Sequence, residues 1–335
     1  MRKYDFITIG GVTEDIALYT DEAQIINNQD DILAQKLIGF EYGAKLGVKK
    51  SFSSFGGGAG NAAVCLANLG FQTAIIAAVG DDNRGNKIIE NFKRKKVKTG
   101  LIQKVKNSET GFTFFIIAKD SEHVGFSCRG ANTKIKIAKE EIQETKKAKW
   151  IYLTSLSGAW KEILSNVFKS QAKIIWNPGH TQLHAGFKSL GRYLAKTEIL
   201  TINRDEAIEL VLSNPRYAGR ERSFFEDIEN LLTIIKGYGP RIVVITDGKH
   251  GAYACDGAEI YFQKVLSKGK PVDTTGVGDA FGSTFAAGIE LFGGDIRKAM
   301  LAGIENTASV VKRNGAQNGL LARQDLLRRI AGRKA

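Results

Sequence analysis

Short apolar runs rich in β-branched residues alternate along this chain with segments in which apolar residues recur every three to four positions. The runs predict strands and the longer segments predict helices. The predicted strands are Phe6–Ile9, Thr73–Val79, Trp150–Leu153, Lys173–Trp176, Ile199–Ile202 and Arg241–Thr246. The predicted helices are Ala59–Leu69, Arg84–Lys96, Lys161–Ser170, Arg204–Leu212 and Phe224–Lys236. Uniformly apolar strands separated by helices are typical of a mostly parallel sheet covered on both faces, so we expect an α/β fold.

Two stretches, 11–55 and 98–128, interrupt this alternation. The first has short runs, acids and amides without a long helical stripe, and the second carries two hairpin-like strands, Gly111–Ala118 and Glu122–Cys128. We expect both to build a small β-rich lid over the strand ends, where ligands bind in such sheets. A lid would exclude water from a reaction. No linker or repeat marks a boundary, so a single domain over 1–335 is expected.

The run Asp273–Gly282 holds the most informative candidate chemistry. Apolar residues downstream of it keep a helical stripe, which predicts a helix that begins near Gly276. The first turn of a helix offers unpaired N–H groups to an anion, and Gly276 and Gly278 let a phosphate approach them. Asp279 would compete with that phosphate unless it takes a proton from an attacking hydroxyl, as in a phosphoryl-transfer site. The alternative is a carboxylate that complements the helix dipole beside a tight glycine turn.

A second glycine-rich run, Gly56–Asn61, opens another predicted helix. Its spacing matches a dinucleotide fingerprint, but a polar segment precedes it and the next strand has no acidic residue at its end. A turn that holds a polyol against its backbone, with Asn61 as hydrogen-bonding partner, fits better. A plain helix cap with a hinge is an equal alternative.

Polar residues also follow two other predicted strands. Asn203 and Glu206 have the spacing of a capping box, and the same pair could order a hydrated Mg²⁺ ion near phosphates. Thr246 and Gly248 offer a hydroxyl and an amide at the end of the next strand. No P-loop motif occurs, and the pair His180 and His184 has no convincing third ligand for zinc.

The chain of 335 residues has a net charge of +13 and a hydrophobic content of 43%. Its two basic clusters, 93–106 and 134–149, lack interleaved aromatic residues or are interleaved with glutamates, so nucleic-acid binding is a minor alternative to attraction of small polyanions. Three scattered cysteines, Cys65, Cys128 and Cys255, together with the lack of a leader or membrane-spanning run, predict a reduced cytoplasmic protein.

Taken together, these segments resemble the ribokinase-like carbohydrate kinases, the pfkB family, over nearly the whole chain. The matching segments are, in order, Gly10–Asp15, Gly56–Gly70, Val79–Gly85, Asn203–Glu206 and Asp273–Gly282. The resemblance implies a ribokinase-like three-layer α/β/α fold with a mostly parallel central sheet and a small β-rich lid. It also implies ATP-dependent phosphorylation of a hydroxymethyl group on a small sugar or sugar acid, with ATP and Mg²⁺ as cofactors.

The resemblance further implies roles for individual residues. Asp279 would be the general base, beside an anion hole formed by the amides of Gly276, Val277 and Gly278. The residues implied to bind substrate hydroxyls are Asp15, Gly57 and Asn61. Those implied to line the nucleotide cleft are Asn203, Thr246, Gly248 and Asn306, with Glu206 ordering Mg²⁺ through water. Those implied to enclose the K⁺ ion that some members use are Asp273, Thr275, Arg313 and Gly315.

Three questions stay open from the sequence. A nucleoside kinase of the same fold would need an aromatic slot, which Phe40, Phe52, Phe55 or Phe115 could supply. A non-catalytic sugar-binding protein is a further alternative, although the presence of Asp279 argues against it. Arg129 could reach a substrate carboxylate or phosphate or simply belong to a turn, and the long segment before residue 56 could alter a homodimer contact through the lid.

Overall fold

Parallel pairing of the apolar strands produces the main sheet of the protein. The computed structural model describes residues 2–28, 36–118, 123–217, 219–266 and 269–333. The strands are β1 Tyr4–Ile9, β2 Thr13–Tyr19, β3 Gln24–Asn27, β4 Lys36–Gly39, β5 Lys50–Gly56, β6 Thr73–Gly80, β7 Ile102–Val105, β8 Phe112–Ile117, β9 His123–Cys128, β10 Ala148–Leu153, β11 Lys173–Trp176, β12 Ile199–Asn203, β13 Ile242–Thr246, β14 Ala252–Cys255 and β15 Ile260–Gln263.

Nine of these strands form the central sheet, in the order β15-β14-β13-β12-β11-β10-β1-β6-β7. The seven strands from β13 to β7 pair in parallel, and β14 and β15 add an antiparallel edge. All six strands predicted from apolar runs belong to this sheet. The parallel pairing brings the carboxyl ends of the strands to one edge, which is where side chains from distant parts of the chain can meet.

Helices cover both faces of the sheet. They are α1 Gly58–Asn68, α2 Asn83–Arg94, α3 Lys139–Thr145, α4 Trp160–Val167, α5 His180–His184, α6 Gly186–Leu194, α7 Arg204–Leu212, α8 Arg222–Glu226, α9 Ile228–Gly237, α10 Val277–Leu291, α11 Ile296–Val310 and α12 Arg323–Ala331. Successive residues of β10 face opposite cores: Trp150 and Tyr152 pack with α1 and α10, whereas Ile151 and Leu153 pack with α4 to α7. This alternation produces the three-layer α/β/α arrangement expected from the sequence.

The lid is a separate four-stranded sheet in the order β5-β2-β8-β9. Strand β2 pairs antiparallel with β5 and parallel with β8, and β8 and β9 form an antiparallel hairpin. Its strands come from the two stretches predicted to form a lid. Residues 102–105 differ from the expectation, because β7 joins the edge of the main sheet. The predicted Lys119–Ser121 connection lies outside the described residues.

The helix predicted over Phe224–Lys236 is interrupted in the structure. Asp227 has an extended backbone (ψ 114°), and its side chain accepts a hydrogen bond from the Glu229 N–H at 2.8 Å. Asp227 therefore ends one helix and caps the next, as short polar side chains do at helix starts. Across the part of the chain that the structure describes, no helix combines the length and apolar character that crossing a membrane requires.

Candidate active site

A cavity of about 300 Å³ lies between the lid and the carboxyl ends of the parallel strands, and we call it the acceptor cavity. Asp279 lines it from the first turn of α10, and Asp15 lines it from the lid strand β2. Polar groups from other parts of the chain share the wall, among them Gly57, Asn61, Thr113, Ser127, Arg129 and Ser157. Such a set of hydroxyls, amides and carboxylates suits a small ligand rich in hydroxyl groups.

Asp279 is held by one side-chain hydrogen bond. The Nδ2 group of Asn61 donates to its Oδ2 atom at 2.8 Å, and among the described residues no donor contacts Oδ1. Burial raises the pKa of Asp279, because protein packed around a carboxylate disfavours its charge, while the bond from Asn61 opposes this rise. A carboxylate with a raised pKa accepts protons more readily near neutral pH, so Oδ1 is placed to act as a base.

Asp15 is a second buried carboxyl group in the acceptor cavity. Thr13 Oγ1 donates to its Oδ1 atom at 2.7 Å. Burial raises the pKa of Asp15 to about 7, and the negative charge of Asp279 adds to this rise. A Cβ atom at Gly56 would lie 1.8 Å from Asp15 Oδ2, so the glycine makes room for this carboxyl group.

Two glycines have left-handed backbones where the chain approaches the cavity. Gly57, just before α1, has φ 81°, and Gly276, just before α10, has φ 72°. A Cβ atom on Gly276 would lie 2.2 Å from the Cβ of Ala316. The chain can therefore turn into α10 only with glycine at 276. The first N–H groups of the helix have no intrahelical acceptors, and that of Val277 makes a long contact of 3.4 Å to the carbonyl of Thr274.

A second cavity of about 230 Å³ lies on the other side of that turn, and we call it the donor cavity. Asn203 and Thr246 line it from the ends of β12 and β13, and Glu206 lines it from the first turn of α7. Gly276 and Asp279 line both cavities. A group transferred between ligands in the two cavities would pass the N-terminus of α10, where partial positive charge stabilises an anion.

Asn203 and Glu206 form the capping box that their spacing predicts. Glu206 N–H donates to Asn203 Oδ1 at 2.9 Å, and Asn203 N–H donates to Glu206 Oε2 at 2.8 Å. Burial raises the pKa of Glu206 to about 7, and the bond from Asn203 N–H opposes this rise. Capping and cavity lining coincide here, so the two roles considered for this pair are compatible.

Asp273 joins two loops that are distant in sequence. It is buried, and its Oδ1 and Oδ2 atoms accept the N–H groups of Thr275 and Gly315, each at 2.8 Å. Each oxygen keeps a further lone pair. The described residues contain no group of three or more His, Cys, Asp or Glu side chains that could hold a metal ion. An ion beside Asp273 would therefore need backbone carbonyl ligands, and Mg²⁺ near Glu206 would keep most of its waters, as that ion prefers.

Three predicted residues lie apart from the cavities. Gly248 is exposed and lies beyond the wall that Thr246 contributes. Arg313 is exposed on the loop before Gly315. Asn306, which was predicted to face the adenosine end, lines neither cavity, and its side chain is fully buried between α10 and the C-terminal segment. Asn306 donates to Thr284 Oγ1 at 2.6 Å and accepts from the Leu321 N–H at 2.9 Å, so both ends of its amide form hydrogen bonds inside the protein.

Sequence reasoning missed several wall residues. Thr113 and Ser127 line the acceptor cavity from the lid hairpin, and Asn177 and Thr201 line the donor cavity from the strand ends. Alternation along β8 was a usable signal, because Thr113 and Phe115 are two residues apart and therefore share a face. The role of Asn177 depends on which strands are neighbours, which its local sequence does not indicate.

Arg129 adds a positive charge to the wall of the acceptor cavity, and Phe115 adds an aromatic ring. Arg129 Nη1 donates to Ser157 Oγ at 3.0 Å, and a short 3₁₀ turn, Gly130–Lys134, follows it. Arg129 therefore begins a turn and also lines the cavity, and a contact with a substrate carboxylate or phosphate stays a prediction. Phe115 is the one member of the four candidate phenylalanines that lines the acceptor cavity within the described ranges.

Comparisons with known proteins identify the family of this chain and its fold. The family model "pfkB family carbohydrate kinase" matches residues 30–323. Mouse (Mus musculus) ribokinase is 27% identical over 285 residues, which cover 82% of this chain and 84% of that protein. The structure of Arabidopsis thaliana ribokinase complexed with ribose and ATP superposes with a TM-score of 0.78 at 19% identity, covering 98% of both chains. A nucleoside kinase from Methanocaldococcus jannaschii gives 0.75 at 17% identity, covering 99% of this chain and all of that one. These structural likenesses show the fold.

Proposed function

Because the chain belongs to the pfkB family of carbohydrate kinases, we propose that it transfers the γ-phosphoryl group of ATP to a hydroxymethyl group of a small sugar or sugar acid. One observation carries the proposal: Asp279 and the N-terminus of α10 lie where the acceptor and donor cavities meet. The proposed base and the proposed anion-binding amides are thus adjacent, at a turn that both lining sets include.

In this mechanism the acceptor hydroxyl lies against Oδ1 of Asp279, which takes its proton as the oxygen attacks the γ-phosphorus. The bond from that phosphorus to the bridging oxygen breaks, and ADP leaves. The N–H groups of Gly276, Val277 and Gly278 bind the oxygens of the transferred phosphoryl group. Preorganised donors of this kind contribute about 10²–10³-fold in rate each. Asp15, Gly57 and Asn61 orient the acceptor through its other hydroxyl groups, and the lid excludes water.

Asn203, Glu206 and Thr246 hold the nucleotide side of the reaction. The donor set around Glu206 fits a hydrated Mg²⁺ ion, because a buried carboxylate and an amide oxygen are hard oxygen donors at the wall of the donor cavity. Bound there, Mg²⁺ would neutralise charge on the phosphates. Glu206 with a pKa near 7 is protonated in part at neutral pH, and a cation beside it would favour the ionised form.

Arg129 favours an acceptor that carries a negative charge. Its guanidinium group lines a cavity that otherwise presents the carboxyl groups of Asp15 and Asp279. Guanidinium groups bind carboxylate or phosphate through paired hydrogen bonds. A sugar acid or a sugar phosphate would thus have one partner of opposite charge at the lid side of the cavity.

The test is ADP release from ATP and Mg²⁺ across a panel of neutral sugars, sugar acids, sugar phosphates and nucleosides. We expect a hit among the sugars or their acids, and no acceptor-dependent turnover in Asp279→Asn, because the amide keeps the shape but loses the basicity. Asp279→Asn should still bind the acceptor. Residual kcat within about tenfold of the wild type would contradict the general-base role.

A nucleoside acceptor is the second candidate, and Phe115 is the observation that favours it. A ring on the wall of the acceptor cavity could stack on a base. Hits confined to nucleosides would select this alternative, whereas silence across the whole panel would favour a non-catalytic sugar-binding protein. A homodimer through the lid also stays a prediction.

A further inference from the structure

Three buried amide side chains form a line that ends on Asp279. Asn91 of α2 donates through Nδ2 to Oε1 of Gln317 at 3.1 Å. Gln317 donates through Nε2 to Oδ1 of Asn61 at 3.1 Å, and Asn61 donates through Nδ2 to Oδ2 of Asp279 at 2.8 Å. Asn91, Gln317 and Asn61 are 7%, 6% and 5% exposed. Neither Asn91 nor Gln317 lines the acceptor or the donor cavity.

The line has a direction because an amide has one donor end and one acceptor end. With Gln317 donating to Oδ1 of Asn61, the NH₂ group of Asn61 must point at Asp279. The reverse orientation would set the amide oxygen against a carboxylate oxygen, so that two acceptors face each other. Without Gln317, the amide of Asn61 could rotate by roughly 180° around χ2. The hydrogen bond from Gln317 to Oδ1 prevents that rotation.

We propose that Gln317 and Asn91 are positioning residues, which fix the amide of Asn61 so that it donates to Asp279 and leaves Oδ1 free for the acceptor hydroxyl. The inference rests on the proposed role of Asp279 as general base. The chain of contacts links α2 and the loop after α11 to the reacting carboxylate. It makes two residues outside both cavities determinants of that carboxylate's ionisation.

The ionisation of Asp279 also depends on other titratable and charged groups around it. Asp15 approaches from β2 and Glu206 from α7, and both raise the cost of a further negative charge there. Tyr152 of β10 and Cys65 of α1 are also close, with pKa values that the charge of Asp279 helps to raise. Arg129 and His123 line the acceptor cavity. Asn61 is the side chain that donates a hydrogen bond to the carboxylate and lowers the pKa of Asp279.

The test compares pH profiles of kcat/KM in Gln317→Leu, Gln317→Glu and the wild type. Gln317→Leu removes the lock on Asn61, so we expect kcat to fall about tenfold and the acid limb to move up by about one pH unit. In Gln317→Glu the new carboxylate can only accept a hydrogen bond from Asn61, which turns the amide oxygen of Asn61 towards Asp279. The acid limb of this variant should therefore move further than that of Gln317→Leu. The KM for ATP should stay unchanged in both.

Asn166→Leu is the matched control, because it removes a part-buried amide of α4 that bonds to Ile137 O and Lys169, away from Asp279. It should keep the wild-type pH profile. If the Gln317 variants do not fold, as melting curves would show, Asn91→Leu tests the line from its other end and should move the limb in the same direction.

Wild-type pH profiles in the folded Gln317 and Asn91 variants would overturn the proposal, as would an equal shift in Asn166→Leu. Failure of the proposed function is distinguishable from this. Turnover by Asp279→Asn would contradict the general-base role of Asp279. An inactive Asp279→Asn together with unshifted pH profiles in the Gln317 variants would contradict only the positioning role of Gln317 and Asn91.

Discussion

Asp15 is a buried acid close to other acids, and this makes its ionisation unfavourable. Its pKa of about 7 lies far above the ordinary value of 3.8, chiefly because of burial. The folded protein therefore binds a proton at Asp15 between about pH 4 and pH 7, where the unfolded chain has released it. With more protons bound in the folded state, stability falls as pH rises through this interval.

Asp15→Asn should remove this pH dependence. The amide can still accept from Thr13, and it needs no proton to stay neutral. We expect the variant to exceed the wild type in unfolding free energy at pH 8, by up to about 4 kcal/mol, and to differ little at pH 4. Urea melts at both values measure this. An equal difference at the two pH values would show that ionisation of Asp15 does not govern stability.

Residue types and spacing indicated part of the set of residues that line the two cavities. Asp279, Asn61, Asn203 and Glu206 follow predicted strands or open predicted helices, so sequence position sufficed to place them. The complete burial of Asn306 was not foreseen, because helix periodicity does not reveal which face of α11 turns inwards when both faces are largely buried. Gln317 escaped notice because its partners, Asn61 and Asn91, are more than 200 residues away along the chain.

At the scale of elements, the first turn of α10 depends on two glycines for different reasons. Glycine is required at position 276 because the backbone there is left-handed and because a Cβ atom would clash with Ala316. Gly278 has helical geometry, and a Cβ atom there would meet no atom within 4 Å. It lines the donor cavity, so that open space is where a phosphate would lie.

Gly278→Ala and Gly276→Ala should therefore separate folding from function. In Gly278→Ala we expect a melting temperature at or above that of the wild type, since alanine favours a helix by about 1 kcal/mol over glycine, with turnover reduced at least about tenfold. Gly276→Ala, in contrast, should lose both stability and turnover. Calorimetry with initial rates measures both effects, and wild-type turnover in Gly278→Ala would exclude phosphate from that turn.

Element prediction worked where local signals were strong. The six apolar runs became parallel strands because a strand buried on both faces must be apolar throughout. The lid hairpin was visible in its alternation, but assigning β7 to the main sheet required knowledge of its neighbour β6. The break at Asp227 shows that a short polar side chain can end a helix inside an unbroken apolar stripe.

At the scale of the whole molecule, the lid and the loop after α11 are in contact. Tyr19 of β2 donates to Asn314 Oδ1 at 3.0 Å, and a Cβ atom on Gly315 would lie 3.0 Å from Ser54 and Phe52 of β5. Gly315 N–H in turn binds Asp273, which holds the loop before α10. The lid is thus connected to the turn before α10 through Asp273.

K⁺ should stimulate the enzyme through this connection. Asp273 is buried, so a cation beside it would offset its charge and hold the loops at 273–275 and 313–315 together. We expect higher initial rates in K⁺ than in tetramethylammonium at equal ionic strength, with Na⁺ between them. Identical rates in the three salts would contradict a monovalent-cation site.

The division of the site into two cavities has a consequence for how new specificities arise. The acceptor cavity draws Asp15, Thr113 and Ser127 from lid strands, whereas the donor cavity is lined from the ends of the main-sheet strands and from α10. Substitutions or insertions in the lid can reshape one compartment while the other keeps its walls. Such a chain can acquire a new acceptor over evolutionary time without rebuilding the donor cavity.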